Sequence, residues 1–323
     1  MRSRRTSAFA AALCATAALV SSCGTQPSPG PSVVETAERT FPLPEGARIA
    51  EPSGPTSASP ECGDPTASLR PNGADSGPTL DAIRARGRLI VGLDAGSNLL
   101  SYRDPTTGDI TGFDVDIARE IARDLLGSPE SVDFRILSSA EREEALQTST
   151  VDIVAKTMSI TCARRELVDF STTYLRAEQR VLVVRNSGIR NVSDLVGRRV
   201  CIVDGTTSLE RLREVQPSAS ILTVPSWADC LVVLQQRQVD AVSTDDTILA
   251  GFAAQDPYVE VVGDSLRTEP YGIGITRGND DLVRFVNRTL ERIRSDGTWT
   301  ALYDRYLSVL GPAPEPPAPT YVD

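Results

Sequence analysis

The chain runs to 323 residues, 40% of them apolar, enough to build one large hydrophobic core or two medium ones. Its formal net charge of −10 argues against nucleic acid as a partner. With no histidine at all and no paired Cys/His spacing, the commonest general acid/base and a zinc site are both missing, so no catalytic residue, metal or cofactor is expected.

The chain begins MRSRRTSAFAAALCATAALVSSCG. Arg2, Arg4 and Arg5 form a basic start, Ala8 to Val20 is apolar but shorter than a membrane span, and small residues precede Cys23. This is the pattern of a secretory signal over residues 1–22, and LVSSC resembles a bacterial lipobox, which implies cleavage before Cys23 and a lipid on its thiol. No later stretch is apolar for long enough to cross a bilayer, so the protein is expected outside the membrane, lipid-anchored to its outer face. Export sets the redox environment. Beyond Cys14 and Cys23, the cysteines are Cys62, Cys162, Cys201 and Cys230, an even number that suggests two disulfides with three possible pairings.

Residues 23–78, after the lipidated cysteine, are rich in Pro, Ser and Gly and read as a disordered tether. A flexible chain of that length reaches about 40 Å, at roughly 5 to 6 Å times the square root of its length. From Thr79 strand-like and helix-like stretches alternate. RLIVGL is a strand, and GFDVDIAREIARDLLG is a helix with Phe113, Ile117, Ile121 and Leu125 on one face and Gly127 as its stop. VDFRIL, VDIVAKT, RVLVV, RRVCIV, ILTV, VDAVST, VEVVG and YGIGIT read as strands. REEALQT, SLERLREV, ADCLVVLQQRQ, TILAGFAAQ and DDLVRFVNRTLERIRSDG read as the helices between and after them. Such alternation implies an α/β architecture with mostly parallel sheets. Residues 311–323 form a Pro-rich tail without periodicity.

In such sheets ligands collect beyond the carboxyl ends of the strands, and four polar clusters fall there: DAGSN, KTMSIT, DGTTS and STDD. In VDGTTSLERL a helix starts at Thr206, Thr207 and Ser208, where free N–H groups and hydroxyls can cap the helix or receive an anion. Asp245 and Asp246 sit where a strand ends and a helix begins, so one can cap while the other holds an ammonium group. Arg164 is a permanent cation suited to a carboxylate. An anion site, a carboxylate and an arginine match the two ends of an α-amino acid.

GFDVDIAREIARDL resembles the signature of the bacterial extracellular solute-binding proteins of family 3, the polar amino-acid-binding branch. ALQTSTVDI, RRELVDFS, GTTS, VDAVSTDD, GDSL and YGIGI follow in the family's order from Thr79 to about Leu310. The resemblance implies a two-lobed class II periplasmic-binding-protein fold, a Venus flytrap in which each lobe is a mostly parallel sheet flanked by helices, with two hinge crossings. Lobe 1 would comprise residues 79–178 and 270–310, and lobe 2 residues 179–269. Carried over by position, Arg164 grips the α-carboxylate with Thr207 and its N–H, Thr157 and Ser159 contact the ligand from lobe 1, Asp245 holds the α-ammonium, Asp246 caps the helix, and Arg165 faces solvent.

For the side chain, the sequence looks most like the glutamate/aspartate-binding and glutamine-binding members. Arg142 falls where glutamate/aspartate binders place an arginine. Asp94 stands where those members carry a second arginine and glutamine binders an aspartate. The family's usual aromatic near the start of the cleft is missing, Ser97 and Leu99 standing in DAGSNLLSY, and Tyr102 is expected to pack within the lobe. The resemblance thus implies a monomer that binds an L-amino acid, preferably glutamate or aspartate with asparagine or glutamine competing, and closes to deliver it to an ABC transporter permease. The same closure could instead engage a separate membrane sensor or regulator. A dehydratase on this fold, with Asp94, Glu141 or Asp245 as base, is the enzymatic alternative. Within the implied lobes Cys201 and Cys230 both fall in lobe 2, which leaves Cys62 to pair with Cys162.

Overall fold

The computed structural model describes residues 41–51 and 60–322; residues 1–22, Cys23 and the rest of the expected tether up to residue 40 lie outside that range. The helix Phe113–Leu126 shows how local sequence dictates an element. Its buried face carries Phe113, Ile117, Ile121 and Leu125, Asp114 and Asp116 lie in its first turn, and left-handed Gly127 at φ 79° ends it. Gly112 precedes it at φ 138°, where a Cβ would stand 2.2 Å from the Leu100 carbonyl oxygen, so only glycine fits. Phe113 stacks near Tyr174 and meets Trp299 edge-on, with centroids 6.3 and 6.1 Å apart, and the Trp299 indole N–H donates to the Tyr174 carbonyl at 2.7 Å.

Two sheets organise two lobes. The first runs Val132–Ile136, Leu89–Leu93, Ile153–Val154, Gly274–Thr276, Val168–Phe170, and four of its five strands point the same way. The second runs Arg48–Ile49, Ser220–Val224, Arg199–Val203, Ala241–Asp245, Leu175–Val184, Val259–Tyr271, with four of six strands aligned. Each lobe is a mixed sheet with helices packed on it, built on three parallel strands joined by two parallel pairings. The chain passes between the lobes along Leu175–Val184 and Val259–Tyr271, and the two crossings pair with each other, Glu178 opposite Thr268 and Gln179 opposite Arg267.

The tether expectation fails for the described part of that stretch. Arg48–Ile49 adds an antiparallel edge strand to the second sheet and Arg48 pairs with Asp204. Cys62 is bonded to Cys162, the Arg165 guanidinium donates to the Pro65 and Ala67 carbonyls, and the Ser68 hydroxyl donates to the Phe170 carbonyl at 2.7 Å. Composition marked the segment as unable to build a core, but main-chain pairing and a covalent bond need no core of its own. The Pro-rich tail is likewise packed. Thr320 and Val322 exchange main-chain hydrogen bonds with Ser68, and Asn287 in the helix Asp280–Ser295 donates to the Ser68 hydroxyl and the Leu69 carbonyl. Cys201 is bonded to Cys230, tying a strand of the second sheet to the helix Trp227–Gln235. Among the described residues no helix is long and apolar enough to cross a membrane.

Candidate functional site

Where the lobes meet, Arg142, Thr157, Ser159, Arg164, Thr207 and Asp245 line one enclosed cavity, joined by Ser139, Thr206, Ser208, Trp227 and Ile248. Its free space is about 10 Å³, on the order of one water-sized sphere. The lobes are closed on each other. Gly205 makes that approach possible: it sits at φ 69°, and a Cβ there would come within 2.7 Å of Ala140 Cα from the opposite lobe.

Lobe 1 supplies the cations. Arg142 opens the short helix Arg142–Gln147 and is 2% exposed; it donates to the carbonyls of Ser139 (2.8 Å), Lys156 (3.1 Å), Thr157 (3.4 Å) and Gly205 (3.1 Å). All of these acceptors are neutral. Burial, and then the charge of Arg164, push the Arg142 guanidinium down to about 9. Arg164 lies on the helix Cys162–Arg165, whose start is capped by the Thr161 hydroxyl accepting the Arg164 N–H at 3.2 Å. Its Nε donates to Glu143 at 2.8 Å, one Nη to the Ser159 carbonyl at 2.8 Å and the other to the Gly205 carbonyl at 3.2 Å. Both arginines thus converge on one carbonyl of lobe 2, an acceptor that a ligand carboxylate can replace with a charged one. Arg165 points away from the cleft and holds residues 65 and 67 instead of facing solvent.

Thr157 has φ 41°, a left-handed conformation that a β-branched residue rarely adopts. Asp114 holds it there: its Oδ2 accepts the Thr157 N–H at 3.0 Å and its Oδ1 accepts the Tyr174 hydroxyl at 2.8 Å. Burial raises this carboxyl to about 6. Asp114 is the first aspartate of GFDVD, a residue the sequence reading quoted without giving it a task.

Lobe 2 supplies the acceptors. Asp245 ends the strand Ala241–Asp245 and takes the N-cap position of the helix Asp246–Gln255, yet its side chain caps nothing. One of its oxygens accepts the Tyr271 hydroxyl, while Oδ1 is buried without a hydrogen-bond partner. Burial first, and then the negative charge of Glu269, raise the Asp245 carboxyl well above the ordinary carboxylate range. Asp246 does not cap in Asp245's place; its carboxylate accepts the Glu178 N–H at 3.1 Å and so fastens the helix to the hinge strand. Thr207 opens the helix Thr207–Val215, and its hydroxyl lies 3.0 Å from Glu269 Oε2 and 3.4 Å from Ser159 Oγ.

Asp94 is not brought to the cavity. Lys156 Nζ stands 2.9 Å from its Oδ2, the Ser97 hydroxyl donates to the same oxygen at 2.7 Å, and Oδ1 accepts the N–H groups of Ala95 and Gly96. A carboxylate so occupied has little left to offer a ligand. Burial acts to raise it, but Lys156 and these donors outweigh burial and hold it below its usual value. Asp114, Ser139, Glu143, Lys156, Trp227, Glu269 and Tyr271 are the residues the sequence reading missed. An aromatic does reach the cavity, Trp227, and it comes from lobe 2. Ser139 and Glu143 flank Arg142 in SSAEREEAL, so proximity in sequence could have found those two, whereas Glu269 carried no local signal.

A two-lobed α/β body with one polar cleft at the hinge is the architecture of a binding protein that closes on a small solute. Residues 89–309 match the bacterial extracellular solute-binding proteins, family 3, and the chain belongs to that family. It is 35% identical over 230 residues to the ABC transporter glutamine-binding protein GlnH of Bacillus subtilis, covering 71% of this chain and 84% of that one. It is 32% identical to the glutamate-binding protein GluB of Corynebacterium efficiens, over 70% of this chain and 81% of that one. Among solved structures it resembles an ancestral arginine-binding protein bound to glutamine, with TM-score 0.65 and 32% identity, covering 69% and 98% of the two chains. It also resembles the ancestral amino-acid-binding protein AncCDT-1, a precursor of cyclohexadienyl dehydratase, with TM-score 0.66 and 36% identity over 71% and 99%.

Proposed function

We propose that the protein binds an acidic L-amino acid, glutamate or aspartate, with glutamine and asparagine as competing ligands, and closes on it to deliver it to an ABC importer. The observation that carries this reading is the segregation of charge across the cleft. Arg142 and Arg164 stand on one lobe, and Asp245, with an unpartnered buried oxygen, stands on the other. A zwitterion satisfies both walls at once, and because each wall belongs to a different lobe, it favours the closed state.

The preference for an acidic side chain rests on Arg142, a buried cation whose hydrogen bonds within the protein go to carbonyl oxygens and not to a carboxylate. The names of the relatives, glutamine-binding and glutamate-binding, agree with this range of ligands. Charge-assisted hydrogen bonds contribute roughly 1.5 to 3 kcal/mol each, so a handful suffices for the about 8 kcal/mol of micromolar affinity. The lipobox at Cys23 supports attachment to the outer face of the cell membrane, and mass spectrometry of the purified protein for an acylated Cys23 tests that part. Calorimetry across the twenty amino acids tests the rest: micromolar binding of glutamate or aspartate is expected, and no binding by any acidic or amide amino acid rejects the reading. Catalysis is not part of this proposal, the chain lacking histidine.

A further inference from the structure

Two crowded acids stand near the cavity, and binding the α-ammonium through Asp245 alone leaves the second without a purpose. Glu269 lies on the returning hinge strand Val259–Tyr271 and is 1% exposed. Its Oε1 pairs with Arg267 Nε at 2.8 Å and its Oε2 lies 3.0 Å from the Thr207 hydroxyl. Burying a carboxylate is unfavourable unless its partners compensate. One ion pair and one hydroxyl are a lean set for a site this dry.

The geometry settles where the single hydroxyl proton of Thr207 goes. Its two neighbours are the charged Glu269 Oε2 at 3.0 Å and the neutral Ser159 Oγ at 3.4 Å. The shorter contact to the ionised oxygen is the stronger one. Thr207 therefore spends its proton on Glu269, and a hydroxyl that has donated its proton offers its lone pairs elsewhere. Thr207 and Asp245 both line the cavity from lobe 2, and Asp245 Oδ1 is buried without a partner.

We propose that Glu269 is a positioning residue: by accepting the Thr207 hydroxyl hydrogen bond and adding its own charge near Asp245, it makes this wall an acceptor-only cradle that demands an ammonium group on the ligand. This rests on the amino-acid reading above and sharpens it, since Thr207 then serves the α-carboxylate through its main-chain N–H and the α-ammonium through its hydroxyl oxygen. The cradle selects α-amino acids against dicarboxylates of the same length that lack the amino group. The charged and titratable groups that face Asp245 are Glu269, Arg267 and Tyr271 from the hinge strand, Asp246 from its own helix and Arg142 from the opposite lobe. Among the charges that oppose ionisation of Asp245, Glu269 acts most strongly, so it also shapes how binding responds to acid.

The test compares glutamate with glutarate, which keeps both carboxylates and lacks the ammonium, in wild-type protein and in Glu269→Gln, by calorimetry from pH 5 to pH 8. A glutamine offers an N–H to Thr207 where the carboxylate accepted, so the preference for glutamate over glutarate is expected to fall about tenfold, the equivalent of one charge-assisted hydrogen bond. The acid limb of glutamate binding is expected to move to lower pH, because Asp245 ionises more easily once its neighbour is neutral. A purely structural role for Glu269 would weaken both ligands alike and leave the acid limb in place, and that outcome overturns the proposal. Should Glu269→Gln not fold, Thr207→Val carries the test: the same fall in preference supports the cradle, and an unchanged preference removes it. If wild-type protein binds no α-amino acid, the amino-acid reading fails and takes this inference with it; if it binds glutamate and Glu269→Gln matches it in preference and pH response, only the inference fails.

Discussion

The two walls of the cleft are built on opposite electrostatic terms. On lobe 1 the guanidinium groups of Arg142 and Arg164 are already hydrogen-bonded, to carbonyl oxygens and to Glu143, and two of those bonds reach across to Gly205. On lobe 2 Asp245 keeps an oxygen without a partner, and its charge is opposed by burial and by Glu269. A ligand carboxylate therefore exchanges with the Gly205 carbonyl, gaining only the difference between a charged and a neutral acceptor, whereas a ligand ammonium relieves an unsatisfied acid outright. The cationic wall fixes geometry, and the anionic wall supplies the larger share of discrimination.

The most severe way to break this arrangement is Arg164→Ala. Truncating one partner of a buried charged pair costs about 2 to 5 kcal/mol, a loss of roughly 30-fold to several thousandfold in affinity, and it also leaves Glu143 without its partner. Calorimetry is expected to show at least that loss for every amino acid tested; affinity within a few fold of wild type would place the α-carboxylate elsewhere.

Asp245→Asn follows, and its signature is in the pH response. A carboxyl whose folded value is raised holds a proton that the unfolded chain has lost, so the contribution of Asp245 to the stability of the ligand-free protein is fully present below the ordinary carboxylate value and is lost as pH rises from there through the raised one. An ammonium ligand favours the ionised form, so glutamate binding should release a proton near neutrality and strengthen as pH rises from 5 to 8. Titrations in two buffers of different ionisation enthalpy read that proton directly. Asp245→Asn is expected to abolish the release and to weaken glutamate about 10- to 100-fold, equivalent to one or two charge-assisted hydrogen bonds. Proton release that persists in the variant would assign it to another group.

Arg142→Ala sharpens the comparison within the cationic wall. If Arg142 answers the side chain, glutamate should weaken about tenfold more than glutamine; equal loss for the two would reduce Arg142 to a brace for the Ser139, Lys156 and Thr157 carbonyls it holds. The smallest effect is expected from Ser159→Ala, about 2- to 10-fold, the range of one neutral hydrogen bond. Its carbonyl, which positions Arg164, survives the change.

Periodicity and end signals carry far in this chain. The apolar face of Phe113–Leu126 and its bounding glycines, the alternation of strand and helix, and the polar clusters at strand ends are all local, so they define the α/β class and draw the eye to Thr157, Ser159, Arg164, Thr207 and Asp245; Arg142 comes from the family resemblance, and the fold brings all six to one cavity. What local pattern could not decide is which charge meets which. Asp94 and Lys156 are far apart in sequence, and only the packing of their two neighbouring strands makes them a pair that withdraws Asp94 from the cleft. Glu269 reaches Thr207 only because the returning hinge strand lies beside the helix Thr207–Val215. Residues 41–51 and 60–78 lack the composition for a core and still join the body, through an edge strand and the bond between Cys62 and Cys162. Secondary structure follows from neighbours along the chain; the partners of a buried charge are set by residues that meet only in three dimensions, and the function proposed here depends on those partners.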